Sequence, residues 1–144
     1  MTTPDKIVPG NPAPLPQGLT TGTISKIVDL TTAAANFSIG TIPAGSVVSH
    51  VAIDVPNTIT AANAVKIGVG RLTSTADPDK YWLSSALTAV SDSAVLLATS
   101  TTLAADEEIG LFACDTNGAA AGTIGGGADD YIRVIVGYIT AERF

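Results

Sequence analysis

The chain has 144 residues, 46% hydrophobic and 14% charged, with seven Lys and Arg against thirteen Asp and Glu for a formal net charge of −6. This balance describes one folded domain with a single core, not a disordered polymer, and it lacks the cations needed to neutralise nucleic-acid phosphates. One cysteine, Cys114, and one histidine, His50, exclude an intramolecular disulfide framework and the thiolate- or imidazole-rich metal centres.

Five of the eight prolines fall in the first sixteen residues, at Pro4, Pro9, Pro12, Pro14 and Pro16. Proline fixes φ and removes a donor, so this stretch is expected to be an extended arm and not helix or central strand. The arm is taken as residues 1–20 and a β-sandwich domain as 21–144. Ile7, Val8, Leu15 and Leu19 give the arm apolar side chains that a pure spacer would not need, and these are expected partner contacts. The N-terminus has no charged start followed by an apolar run, so it does not read as a signal peptide. No stretch of eighteen apolar residues predicts a membrane span. A protein made in a cytoplasm is the expectation.

From Gly22 onward the pattern is β. Ile24, Ile27, Val28 and Leu30 predict a first strand, and Phe37, Ile39 and Ile42 a second. Pro43-Ala44-Gly45 reads as a turn, with proline suited to its first central position and glycine free to take positive φ. Ser46–Val55 is the clearest strand, with Val47, Val51, Ile53 and Val55 on one face and His50, Ala52 and Asp54 on the other. Ala61–Ala64 has room for one helical turn at most. Ala64–Leu72 alternates Val65, Ile67 and Val69 with Lys66, Gly68 and Gly70. Asp77-Pro78-Asp79 predicts a turn and Tyr81-Trp82-Leu83 a short strand, whose neighbouring aromatics should face opposite ways, placing Trp82 at a partner. Val95–Leu97 and Thr101–Leu103 are weaker strands, and Ile109–Cys114 a stronger one. Residues 115–130 hold five glycines, too many for a strand, and predict a loop that is mobile or ordered by a partner. Tyr131–Thr140 closes the series. Its two apolar faces, Ile132, Val134, Val136 and Tyr138 against Ile135 and Ile139, suggest a central strand or one in a subunit interface. Helical periodicity is poor, whereas nineteen threonines with many Val and Ile favour pleated surfaces. The expected fold class is all-β, a sandwich or jelly roll.

No catalytic constellation emerges. His50 has no G-x-S-x-G elbow. Asp115-Thr116-Asn117 lacks the glycine of an aspartic-protease loop. Gly125-Gly126-Gly127 is followed by no Lys-Ser/Thr of a phosphate cradle. Asp77 with Asp79, and Asp129 with Asp130, lack EF-hand spacing and read as solubilising loop acids. Cys114 reads as a small core residue. No cofactor and no metal are expected.

The stretch Ile42–Val55 (IPAGSVVSHVAIDV), then Val65–Gly70 (VKIGVG) followed by Asp77–Trp82 (DPDKYW), and finally Tyr131–Ile139 (YIRVIVGYI) resemble small structural proteins of tailed bacteriophages. The resemblance implies a β-sandwich or jelly roll, often trimeric. It further implies a virion role, as a capsid decoration (cement) protein that binds the major capsid protein and stabilises the shell, with no active site and no cofactor. A head or tail fibre, or a carbohydrate-binding jelly-roll module around Tyr81 or Trp82, is the alternative. The composition fits an adhesive role. So few charges cannot cover the third or so of surface that a domain this size leaves exposed, and uncovered apolar patches mark interaction sites.

Overall fold

The computed structural model describes residues 19–56, 59–87, 93–96 and 101–141. Ten strands run in chain order: β1 (Leu19–Asp29), β2 (Asn36–Ile42), β3 (Ser46–Asp54), β4 (Thr60–Ala62), β5 (Lys66–Arg71), β6 (Asp77–Leu83), β7 (Ser93–Leu96), β8 (Glu107–Cys114), β9 (Thr123–Gly125) and β10 (Tyr131–Ala141). Eight of them form two four-stranded antiparallel sheets, ordered β1-β10-β3-β7 and β2-β8-β5-β6, and β4 pairs with β9. The pairing is nested: β1 with β10, β2 with β8, β3 with β7, and β5 with β6. This is the jelly-roll-like route of a two-sheet sandwich, in which the chain crosses between sheets and winds inward strand by strand.

Between the sheets lies the core. β10 contributes Ile132, Val134 and Val136, and β8 faces them with Ile109 and Leu111, all inaccessible to solvent. β10 is a central strand, as its two apolar faces led one to expect. The Pro43-Ala44-Gly45 turn also forms, with Gly45 at φ 84°. Cys114 is fully buried, and burial pushes its thiol up to about 11.

Several expectations are corrected, each for a local reason. In β3, Gly137 pairs with His50 but Tyr138 pairs with Val48, so Ser49 is an extra residue. Such a bulge reverses the side-chain alternation beyond it. Ser46, Val48, Val51 and Ile53 are therefore the buried set, and Val47 joins the opposite face. Ala61–Ala64 makes no helical turn. Its first part is β4, and Asn63 then adopts φ 60°. Asp77-Pro78-Asp79 is the start of β6 and not a turn. Proline is tolerated there because β6 is an edge strand. The register between β5 and β6 jumps from Val69↔Trp82 to Arg71↔Asp77, and this irregularity lets both Tyr81 and Trp82 pack on the core. Thr101–Leu103 forms no strand, although Leu103 exchanges backbone hydrogen bonds with Gly45 and Ser46 at 2.8 Å. Leu97 lies outside the described residues.

The glycine-rich segment 115–130 is ordered by its own chain. Asp115 Oδ1 accepts the Asn117 and Ala119 amides at 2.8 and 3.0 Å, and Asp130 Oδ2 accepts that of Gly127 at 2.7 Å. Ile124, in β9, is fully buried and exchanges backbone hydrogen bonds with Ala34 at 3.0 Å. One buried isoleucine and a short ladder give the loop an anchor that composition conceals.

Candidate interaction surface

The two sheets differ in how their outer faces are treated. On the second sheet, Gly68 and Gly70 of β5 and Gly110, Phe112 and Cys114 of β8 are all buried, although they point away from the core. The main chain of Asp77 and Pro78 folds directly over Gly68 and Gly70, where a Cβ would overlap those carbonyl groups, and Leu72 lies against Gly110. Asp79 packs on Gly118, which has φ 92°. The chain thus covers this face itself.

Among the described residues, nothing folds over the outer face of the first sheet. Strand register places the outward residues in rows across β1, β10 and β3: Thr21, Ile139 and Val47; Thr23, Gly137 and His50; Ser25, Ile135 and Ala52; Ile27, Arg133 and Asp54. Ile27 is 60% exposed and Ile139 38%, two of the three large exposed apolar residues among the described ones. Its one ion pair among the described residues, Arg133 Nη1 to Asp54 Oδ2 at 3.4 Å, is solvent-accessible on both sides and holds the face together by no more than about 1 kcal/mol. Asp29 ends β1 by accepting the Thr31 amide at 2.8 Å, and hydrogen bonds from Thr31 keep its carboxyl below the usual range.

Near the middle of the face a hollow of about 390 Å³ is lined by Thr21, Gly22, Thr23, Ser49, His50, Tyr138 and Ile139. The His50 ring lies across Gly137 on this face, and on the core side of the sheet the Tyr138 ring lies across Gly22, each occupying the place of a Cβ. Ser49 Oγ is 3.2 Å from His50 Nδ1. Among the described residues no carboxylate hydrogen-bonds this imidazole, so the pair lacks the orienting third group of a nucleophilic site. Hydroxyls, methyl groups and one imidazole on a nearly uncharged plane suit adhesion.

A second polar cluster is structural. Glu107, 5% exposed, accepts hydrogen bonds from the Tyr81 hydroxyl and from Lys80 Nζ (2.7 Å), with Arg71 Nη1 at 4.0 Å. Burial, then the hydrogen bond to Glu107, drives the Tyr81 hydroxyl well above its ordinary value.

Of the residues expected at a partner, Ile7, Val8 and Leu15 lie outside the described residues. Leu19 opens β1 and pairs with Ala141, so the strand begins within the segment drawn as arm. Trp82 is half-buried, pairs with Val69 and packs against the core. The open face itself went unassigned. Its signals were the second apolar face of β10 and an outward His50, but only the strand order β1-β10-β3 gathers them.

The architecture defines the chain as a two-sheet antiparallel sandwich of jelly-roll-like winding. Among solved structures, that fold is similar to a chain in the acid-stable capsid structure of Helicobacter pylori bacteriophage KHP30, with a TM-score of 0.53 and 12% identity over 86% of this chain and 94% of that one. A chain in the capsid asymmetric unit of cyanophage Pam1 aligns with a TM-score of 0.47 and 18% identity, over 93% of this chain and 94% of that one. No protein-family model and no curated protein matches the sequence.

Proposed function

We propose that this protein is a non-enzymatic structural component of a tailed-phage virion, a decoration (cement) protein that binds the major capsid protein on the outside of the shell and stabilises it as a homotrimer. The observation that carries the reading is the contrast between the two outer faces. One is closed by the chain's own backbone, and the other presents Ile27, Ile135, Ile139 and Val47 with, among the described residues, a single exposed ion pair. Patches of this kind mark interaction sites on soluble domains. The fold likeness to a chain of a phage capsid structure supports the same reading, as does the sequence resemblance to phage structural proteins. The arm residues Ile7, Val8 and Leu15, with Leu19 at the start of β1, extend the contact. A carbohydrate-binding module would need an exposed aromatic platform. Tyr81 is 4% exposed and Trp82 packs inward, so the pair that would form such a platform does not favour that alternative.

The test is co-sedimentation with shells of the parent virus that lack the protein. Ile27→Asp with Ile139→Asp should weaken binding at least about tenfold, since each places a charge in a desolvated contact. The urea midpoint of the variant, measured alongside, separates lost binding from lost folding. Shells that bind the variant and the parent equally would overturn the reading, and light scattering of the free protein checks the trimer.

A further inference from the structure

His50 is the only histidine in the chain, and the fold sets it near the middle of the outer face of the first sheet. It stands in the row formed with Thr23 and Gly137, where its ring lies across the glycine and borders the hollow. The side chain is half-buried before any partner arrives. Ser49 Oγ, 3.2 Å from Nδ1, engages one ring nitrogen, and among the described residues nothing hydrogen-bonds the other.

The surroundings of this imidazole are uncharged. Its neighbours in the same row and the adjacent ones carry hydroxyls, alkyl groups or, at Gly137, no side chain. The residue paired with it on β7 is Leu96. The ionisable groups of the face among the described residues, Arg133, Asp54, Asp29 and Tyr131, stand at its far end, four or more residues along their strands. Four residues of strand span about 13 Å, more than the Debye length of about 8 Å at physiological salt. Arg133 and Asp54 are also paired with each other. Lys26 and Tyr138 have the opposite strand parity and so belong to the other side of the sheet.

Imidazole is the side chain whose charge changes between pH 5 and 8. In water either form is tolerated. Under a partner the two forms part company. The neutral ring packs as a flat, weakly polar surface, whereas the cation loses its water and finds no carboxylate of this face to replace it. The covered centres of interfaces are depleted of charge for this reason.

We propose that His50 docks as the neutral imidazole against an uncharged patch of the shell, and that acid releases the protein by protonating it. The proposal rests on the docking reading above and adds to it the chemistry of the partner and a pH response. Its sign follows from linkage. A complex that favours the neutral ring expels the proton on binding, so affinity is complete where the free imidazole is neutral and falls as pH drops. A shell presenting a carboxylate to the hollow would give the reverse order and tighten in acid.

The test is co-sedimentation with shells of the parent virus that lack the protein, at pH 7.5 and at pH 5.5. The unaltered chain should bind about tenfold more weakly at the lower value, the effect of one proton. In His50→Gln, which takes up no proton, the ratio of the two affinities should shrink to within about twofold, whatever the affinity itself. His50→Lys is charged at both values and should bind at least about tenfold more weakly than the unaltered chain at pH 7.5. Urea midpoints at both pH values separate lost binding from lost folding. Should His50→Gln dock too weakly to compare, calorimetry of the unaltered chain in two buffers of different ionisation enthalpy decides. Docking at pH 6 should release up to about one proton per copy, and no release would overturn the proposal. Affinity that is equal at both pH values or tighter in acid would overturn the switch and leave the docking reading standing. A loss in acid that His50→Gln shares in full would do the same. Absence of binding at pH 7.5 would instead overturn the docking reading, and the switch with it.

Discussion

Replacing Glu107 tests whether its cluster holds β6 to β8. The Tyr81 hydroxyl is buried and donates to Glu107, so Glu107→Leu leaves that donor without an acceptor, a loss of about 1–3 kcal/mol. Lys80 and Arg71 have side chains 22% and 32% exposed and can turn to water, so their lost partner adds no more than about 1 kcal/mol. The expected total is about 2–4 kcal/mol. Glu107→Gln keeps an acceptor for Tyr81 and should cost about half as much. Tyr81→Phe alone should cost about 1 kcal/mol, and in the Glu107→Leu background it should cost almost nothing, because the donor it removes is already orphaned. Urea unfolding followed by fluorescence of Trp82, the only tryptophan, measures all four variants. If Glu107→Leu unfolds within about 0.5 kcal/mol of the parent, or if the double variant equals the sum of the singles, the cluster contributes nothing of the kind argued.

Gly70→Ala should destabilise by about 3 kcal/mol, since the new methyl group meets the Asp77 backbone, which cannot rotate away. Gly127→Ala, where a Cβ meets Asp130 Oδ2 at an ordinary 3.4 Å, should stay within about 0.5 kcal/mol by the same assay. Alkaline stability follows from two buried acids. The Tyr81 hydroxyl and the Cys114 thiol are both raised above their ordinary values of 10.0 and 9.0, so the neutral forms favour the fold. Their contribution is complete below those values and is lost as pH rises through the folded ones, from pH 9 to about 11 for Cys114. The urea midpoint should therefore fall above pH 9, and Tyr81→Phe should lessen the fall beyond pH 10. A midpoint constant to pH 11 would contradict this. Native protein at pH 8 should leave Cys114 unreacted with iodoacetamide, whereas urea-unfolded protein should be alkylated fully by mass.

Alternation carried most of the fold. β2, β8 and β10 fall where Phe37 to Ile42, Ile109 to Cys114 and Tyr131 to Thr140 place them, because a half-buried pleat imposes a period of two. What the pattern missed lies where that period breaks. The extra residue Ser49 moves Val47 to the other face, and the jump in β6 sends two adjacent aromatics inward. Both depend on the partner strand, which a linear reading does not contain. The same limit hid the anchored loop, since Ile124 finds Ala34 about ninety residues earlier. It also hid the open face, whose members come from three strands distant in the chain.

The marriage of β1 to β10 has a consequence for biosynthesis. Thr20 and Thr140 touch although they stand 120 positions apart in the chain, so during translation the opening strand emerges long before its mate. Contacts this distant in sequence slow folding, and an unpartnered, threonine-rich ribbon waiting at the ribosome exit invites aggregation.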